Sequence, residues 1–242
     1  MDAVRQHFEQ EAADFDRIIV ELIPHYADMV QALVAAIPFD GNAQIQVVDL
    51  GCGTGTVAKQ VLEMFPHAEV TCLDLADNMI AMAKAKLGPC PRVRYITGDF
   101  NTFDLRSNYD AIVSSLALHH LVTDEDKRRF YRRSYQRLNP GGVFYNADVV
   151  LASTDFLQKV YMRQWREFML RGVPEKEIDG KWIPKYHAED RPARLKDHLT
   201  WMSEIGFSGV DVLWKYYNFA VYGGTKHGDP TVRGNEAENR CE

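Results

Sequence analysis

Hydrophobic positions along this chain follow two alternating rhythms. Stretches with apolar residues at spacings of three and four, the mark of one-sided helices, are separated by short runs that are apolar almost throughout. Such runs suit strands buried on both faces of a parallel sheet. Val4, Phe8, Ala12, Phe15, Ile19 and Leu22 form a first helical stripe. Pro24 interrupts it, and Tyr26, Met29, Val30, Leu33 and Ile37 begin a second. Strands are predicted at Val47–Leu50, Glu69–Leu75, Arg92–Thr97, Tyr109–Ser115 and Val143–Leu151. Helical stripes fill the gaps: Val57, Val61, Leu62 and Phe65, then Met79, Ile80, Met82, Ala83 and Leu87, then Phe130, Tyr131, Tyr135 and Leu138. The last of these helices starts near Thr123-Asp124-Glu125-Asp126, acids that suit a positive dipole end. Its Lys127, Arg128, Arg129, Arg132, Arg133 and Arg137 read as a solvated face. Asn139-Pro140-Gly141-Gly142 reads as a turn.

The alternation breaks after the fifth strand. Phe156, Val160, Tyr161, Trp165, Phe168 and Met169 form a helical stripe, followed by an irregular aromatic piece containing Trp182, Tyr186 and His187. Too aromatic for a linker, residues 153–197 are expected to cap a site. A helix over Leu195–Ile205 follows, then Gly209–Tyr217 and Asn218–Gly223 with no room between them except for an antiparallel hairpin. The predicted class is α/β: a Rossmann-like, doubly wound, mostly parallel sheet of seven strands, with a C-terminal hairpin. A helical lid over 1–40 precedes the main domain at 41–225, and the polar tail 226–242 is expected to be disordered.

The chemistry gathers at Val47-Val48-Asp49-Leu50-Gly51-Cys52-Gly53-Thr54-Gly55-Thr56. A buried strand turns into a helix through glycines at every second position, where side chains would obstruct a ligand. Gly51 permits the turn, and Gly53 lets backbone N–H groups approach closely. A small, adenosine-like ligand is expected there. Asp74, ending the second strand, is placed to accept two vicinal ribose hydroxyls. At the end of the third strand, Asp99 offers an acceptor to an adenine amino group and Phe100 an apolar face.

Charge and cysteine usage narrow the class. A net charge of −6 argues against a nucleic-acid partner, which wants a basic face. The four cysteines show no paired spacing, so they read as thiols in a reducing compartment, with neither a zinc site nor a disulfide framework. No metal is expected. No apolar run is long enough to span a bilayer, and a cytoplasmic location without membrane partners is the expectation. A homodimer is left open.

The order Asp49-Leu50-Gly51-Cys52-Gly53-Thr54-Gly55, Asp74, Gly98-Asp99-Phe100, Asp110–Ser115 and Leu138-Asn139-Pro140-Gly141-Gly142 resembles the class I S-adenosylmethionine-dependent methyltransferases, over roughly residues 45–225. The resemblance implies methyl transfer from S-adenosylmethionine, with S-adenosylhomocysteine as product, to a nitrogen or oxygen of a small molecule. It implies cofactor contacts from Tyr26, Gly51, Cys52, Gly53, Asp74, Leu75, Met79, Asp99, Phe100 and Ser115. Phe15–Ile37 and His198–Thr225 are also similar to carboxy-S-adenosylmethionine synthases. Those enzymes bind the extra carboxylate with an arginine that has no clear counterpart here, Lys185 and Arg191 being out of register. A non-catalytic cofactor-binding regulator is a further alternative. An NAD-dependent dehydrogenase would want a third glycine where Thr56 stands.

An acceptor that arrives protonated needs a base. His119 and His120, just past the fourth strand, fit that role by their neutral-range titration, or else they hold the loop by hydrogen bonding. Asp148 on the fifth strand either orients a substrate or sits in a salt bridge with a cap arginine such as Arg163 or Arg166. Tyr161, Trp165, Trp182, Tyr186 and His187 are the cap residues expected to touch the substrate, through cation–π contact if it is an amine.

Overall fold

The structure is a computed structural model that describes residues 15–105 and 108–228. Val4, Phe8 and Ala12, and most of the polar tail, lie outside those residues. Two short helices come first, α1 (Phe15–Leu22) and α2 (Tyr26–Ala35). The βα alternation follows: β1 (Gln46–Leu50), α3 (Thr56–Met64), β2 (Glu69–Asp74), α4 (Asp77–Leu87), β3 (Val93–Thr97) and β4 (Tyr109–Ser115). Next are α5 (Asp124–Arg137), β5 (Leu138–Val149) and α6 (Asp155–Met169). The chain closes with α7 (Glu175–Glu177), α8 (Ile183–Glu189), α9 (Leu195–Ile205), β6 (Ser208–Tyr216) and β7 (Phe219–Thr225).

The seven strands lie in the order β3-β2-β1-β4-β5-β7-β6. β1 pairs in parallel with both β2 and β4, and β7 runs antiparallel between β5 and β6. Because successive strand residues face opposite sides, Val47 joins one apolar layer with α2 and α3 while Val48 joins the other with α5 and α9. Chain direction from β1 reverses between its two neighbours, so the carboxyl ends of β1 and β4 open a crevice. Among the described residues no single helix is long and apolar enough to cross a membrane.

Local chemistry sets the boundaries. Thr123 caps α5 through a reciprocal box: its hydroxyl accepts the Asp126 N–H at 3.1 Å, and Asp126 accepts the Thr123 N–H at 3.1 Å. Gly206, with φ of 112°, ends α9.

Three expectations are corrected. Asn139-Pro140-Gly141-Gly142 is the start of β5, because Leu138 pairs with Tyr109 and Lys226 bonds the backbone of Gly141 and Gly142. The aromatic cap is not irregular: α7, a π-helical turn over Ile178–Trp182 and α8 follow one another, with Pro184 in the first turn of α8 where its missing N–H costs nothing. Finally, the α5 charge run is not uniformly solvated. Lys127 is buried and donates to the Leu121 carbonyl at 2.6 Å, and Arg133 donates to the carbonyls of Phe100 and Asn101.

Candidate functional site

Two cavities share walls at the carboxyl ends of the parallel strands. The first, about 710 Å³ counted out to solvent, lies over the turn between β1 and α3. Gly51, Gly53 and Gly55 all have positive φ, which side chains resist. The turn is held from two sides. Gly51 and Cys52 donate to the Leu73 carbonyl at 2.8 and 3.1 Å, and Asp74 accepts the Gly53 N–H at 2.8 Å and the Ala76 N–H at 3.0 Å. A Cβ on Gly51 would lie 2.3 Å from the Cβ of Ala117, so the turn can approach Ala117 this closely only because that side chain is missing. Helix α1 grips the same turn: Thr54 donates to Asp16 at 2.5 Å, while Lys86 donates to Asp16, Thr54 and Thr56.

Tyr26, Cys52, Asp74, Leu75, Met79, Phe100 and Ser115 line this cavity with Gly51 and Gly53. Asp99 does not; its carboxylate accepts the Asn101 N–H at 2.8 Å in the turn that presents Phe100. Phe15, Asp49, Leu116 and Ala117 are among the lining residues that the sequence did not mark for this role. Phe15 looked like a core position. Asp49, an acid between apolar neighbours near the end of β1, carried a legible signal. Burial raises its pKa to about 7, countered in part by the Ala58 amide and reinforced by Asp74. Burial likewise pushes the Tyr26 hydroxyl well up.

These groups fit an adenosyl cofactor. Asp74 remains able to take vicinal hydroxyls because each carboxylate oxygen accepts more than one hydrogen bond. Ser115 Oγ, buried at the end of β4, has no hydrogen-bond partner among the described residues. The glycine cradle keeps backbone, not side chains, against the ligand.

The second cavity, about 880 Å³, adjoins the first and shares Phe15, Leu116 and His120 with it. Its other walls are mostly apolar, from α1, β5 and the cap, and Trp165, Trp182 and Tyr186 are among them. The Trp165 indole donates to the Leu22 carbonyl at 2.7 Å, tying cap to α1. Lys185, Glu189 and Asp190 bring charge into this space. Burial lowers the Lys185 pKa to about 8 against the opposing pull of Glu189 and Asp190. Tyr161 and His187 are placed elsewhere: Tyr161 packs on Tyr217 beneath Lys215, and His187 is exposed against the edge of Tyr186.

Adjacent His119 and His120 sit on a 3-10 turn over Leu118–His120 and face different surroundings. His119 Nδ1 lies 2.5 Å from Asp148 Oδ1, and its Nε2 lies 3.5 Å from Asp190 Oδ1. Burial alone would lower the His119 pKa, but Asp148 and Asp190 raise it to about 9. Burial and then the neighbouring His119 charge lower His120 to about 3. Burial raises the Asp190 pKa.

Asp148 thus has a partner, and it is not a cap arginine. It holds the His119 ring and backbone amide and accepts from Asn146 at 3.2 Å. Arg166 instead pairs with Glu175 and Asp179, and Arg163 with Glu167, because both point from α6 toward solvent. Asp148 does not line either cavity, so it positions His119 and is not placed to meet a substrate directly.

Comparison with known proteins agrees with this geometry. Residues 47–142 match the model of a methyltransferase domain. The chain is 27% identical over 180 residues to malonyl-[acyl-carrier protein] O-methyltransferase 1 of Ilyobacter polytropus, covering 74% of this chain and 61% of that protein. The chain therefore spans less than two thirds of that relative. It is 28% identical over 218 residues to carboxy-S-adenosyl-L-methionine synthase of Chromohalobacter salexigens, covering 88% of this chain and 80% of the other. Human N-acetylserotonin methyltransferase, solved in complex with S-adenosylmethionine, shares the fold with a TM-score of 0.61 at 17% identity, over 93% of this chain and 57% of that one. The glycine turn, the strand order and these matches agree: residues 47–142 carry a methyltransferase domain, in a fold like that of the class I S-adenosylmethionine-dependent methyltransferases.

Proposed function

We propose that this protein transfers a methyl group from S-adenosylmethionine to a nitrogen or oxygen of a small molecule held in the second cavity. The observation that carries the proposal is the junction of the two cavities at Phe15, Leu116 and His120. A glycine-walled crevice carrying Asp49 and Asp74 meets an aromatic chamber along a shared wall, as transfer between two bound molecules requires.

When bound, the cofactor supplies an electrophilic methyl on a sulfonium that is already a good leaving group. The work left to the chain is binding, orientation and exclusion of water. Asp74 would hold the ribose, Phe100 the adenine, and Tyr26 with Gly51 and Gly53 the amino-acid end. Ser115 and Leu116, which line the crevice, would help to hold the cofactor there. Well-oriented reactants recover roughly 7–11 kcal/mol of a bimolecular barrier, and the apolar chamber supplies that orientation. His120, on the shared wall, is placed to align the nucleophile, with His119 and Asp148 supporting the turn that carries it.

A second reading rests on Lys185. It lines the acceptor chamber, where a cation suits a carboxylate, and the synthase relative covers most of this chain. Arg191 does not offer that role, since its guanidinium donates to the carbonyls of His187, Ala188 and Asp190.

The deciding experiment is calorimetric titration with S-adenosylmethionine, S-adenosylhomocysteine and NAD⁺, followed by mass analysis of acceptor screens. Binding of the first two and an acceptor gain of one methyl support the proposal. A carboxylated cofactor as product favours the synthase reading, and binding of NAD⁺ alone rejects both.

A further inference from the structure

We propose that His119, His120 and Asp190 form a binding site for a divalent metal ion of the zinc type, opening onto the acceptor chamber. One ligand atom from each residue falls within 4.8 Å of the others. Asp190 Oδ1 lies 3.5 Å from His119 Nε2 and 3.9 Å from His120 Nδ1. Tetrahedral zinc, with bonds of ~2.0–2.2 Å to nitrogen and oxygen, holds neighbouring ligand atoms roughly 3.3–3.5 Å apart. The two carboxylate–histidine distances are thus at, or a few tenths of an ångström wider than, the spacing a bound ion would impose, and the two histidine nitrogens lie within 4.8 Å of each other.

Three further features distinguish it from a chance meeting of side chains. The His119 ring presents its other nitrogen, Nδ1, to Asp148 at 2.5 Å, the carboxylate–histidine arrangement that fixes the ring of a metal ligand. Asp148 is fixed in turn by the Val149 N–H at 2.8 Å and by Asn146, whose amide also donates to Tyr222 at 2.9 Å. The segments carrying the ligands are joined through backbone, since the Arg191 N–H donates to the His119 carbonyl at 2.9 Å. Asp190 is thereby held against the histidine turn from a distant part of the chain.

Both histidines are only 8% exposed, whereas the Asp190 side chain reaches 19% and all three line the chamber. Coordination is closed by protein on one side and open toward the acceptor on the other. Two imidazoles and one carboxylate favour zinc, iron, cobalt or nickel over magnesium or calcium, which prefer oxygen alone. Lys185 and Glu189 line the same chamber, and their opposite charges largely offset there. An ion at this position would present open sites to an oxygen of the acceptor, a carboxylate or hydroxyl. Occupancy itself is independent of the methyl-transfer reading.

The test is equilibrium dialysis of the metal-stripped full chain against Zn²⁺ with excess Mg²⁺, with the visible spectrum of the Co²⁺ form recorded alongside. One Zn²⁺ per chain is expected, with intense cobalt bands of low coordination number. Asp190→Ala and His120→Ala should each abolish stoichiometric binding, and Asp148→Asn, which touches no metal, should weaken it about 10–100-fold. Asp190 lies outside the first cavity, so S-adenosylhomocysteine titration of that variant reports whether it is folded. Absence of stoichiometric zinc, or zinc retained unchanged in the Asp190 and His120 variants, overturns the proposal. Should those variants fail to fold, the unsubstituted Co²⁺ spectrum decides, and the weak bands of a hydrated octahedral ion overturn it. Titration of the same sample with S-adenosylhomocysteine separates failure of the metal site from failure of the methyltransferase reading.

Discussion

Asp74 clasps the glycine turn: its Oδ2 accepts the Gly53 N–H at 2.8 Å while Oδ1 accepts the Ala76 N–H at 3.0 Å. The carboxylate expected to hold ribose is therefore also part of what shapes the crevice. Asp74→Ala should weaken S-adenosylhomocysteine binding more than tenfold and lower the melting temperature, because each buried amide left without an acceptor costs about 1–3 kcal/mol. Asp74→Asn, which keeps one acceptor oxygen, should recover part of the stability and little of the affinity. Calorimetry and thermal melts on both variants separate the two roles, and full affinity in a folded Ala variant would remove Asp74 from the cofactor site.

Gly51 faces Ala117 across the same crevice. A Cβ there would meet the Ala117 Cβ at 2.3 Å with φ at +68°. Gly51→Ala should cost about 1–3 kcal/mol as overpacking and abolish cofactor binding. Adding Ala117→Gly removes the clash but not the strained φ, so the double variant should regain part of the stability. No rescue in denaturant melts would mean that backbone strain, not the contact, dominates.

Lys127 sits in the interior with its ammonium on the Leu121 carbonyl. A charge-assisted bond of this kind contributes about 1.5–3 kcal/mol. Lys127→Met keeps most of the stem and loses the bond, so the destabilisation should fall near that range. Hydrogen exchange should rise in the turn carrying His119 and His120. A variant as stable as the parent would show that the ammonium bond is offset by its burial.

Lys127 also marks where sequence reasoning stops. Apolar runs, the glycine turn and the acids near the ends of β1 and β2 are local signals, and they place the strands, the crossover helices and the first crevice. The fate of Lys127 depends on a carbonyl in the preceding turn, which no periodicity encodes. The partner of Asp148 was sought in the cap, yet it is His119, brought alongside because β4 and β5 are neighbours. Asp190 reaches the histidines only through folding of the whole cap. Asn139–Gly142 misled for a different reason: Pro and Gly signal turns, but a Cβ on Gly142 would crowd the Tyr109 and Asp110 carbonyls at 3.0 Å. That glycine serves a close strand approach.

His198 provides a pH test of the fold. Buried between Tyr131, Trp201 and Tyr222, it has its pKa lowered to about 3 by burial, with Asp148 opposing and Lys127 adding to the shift. In the unfolded chain it titrates near 6.5, as an unperturbed histidine does. Below that pH the unfolded state binds the extra proton, so the stability this neutral histidine contributes is complete above 6.5 and falls as pH drops toward 3. The loss should approach about 1.4 kcal/mol per pH unit. His198→Gln, which does not titrate, should flatten urea-melt stability against pH within that window. Identical slopes in the two proteins would show that folding does not lower the His198 pKa.

The division of labour between the cavities is tested at Trp182. It lines the acceptor chamber and not the cofactor crevice, and its indole donates to Glu177 at 3.0 Å within the cap. Removing it takes away apolar wall and leaves the glycine turn, Asp74 and Phe100 untouched. Trp182→Ala should therefore raise the acceptor KM at least tenfold while the S-adenosylhomocysteine Kd stays within a factor of two. Trp182→Phe, which keeps a ring but loses the Glu177 bond, should fall between, distinguishing the wall from the cap anchor. Phe15→Ala makes the contrast, since Phe15 lines both cavities and its loss should weaken both ligands. If Trp182→Ala instead weakens the cofactor and leaves the acceptor unaffected, the chamber is not the acceptor site, and the substrate must approach the methyl group from another direction.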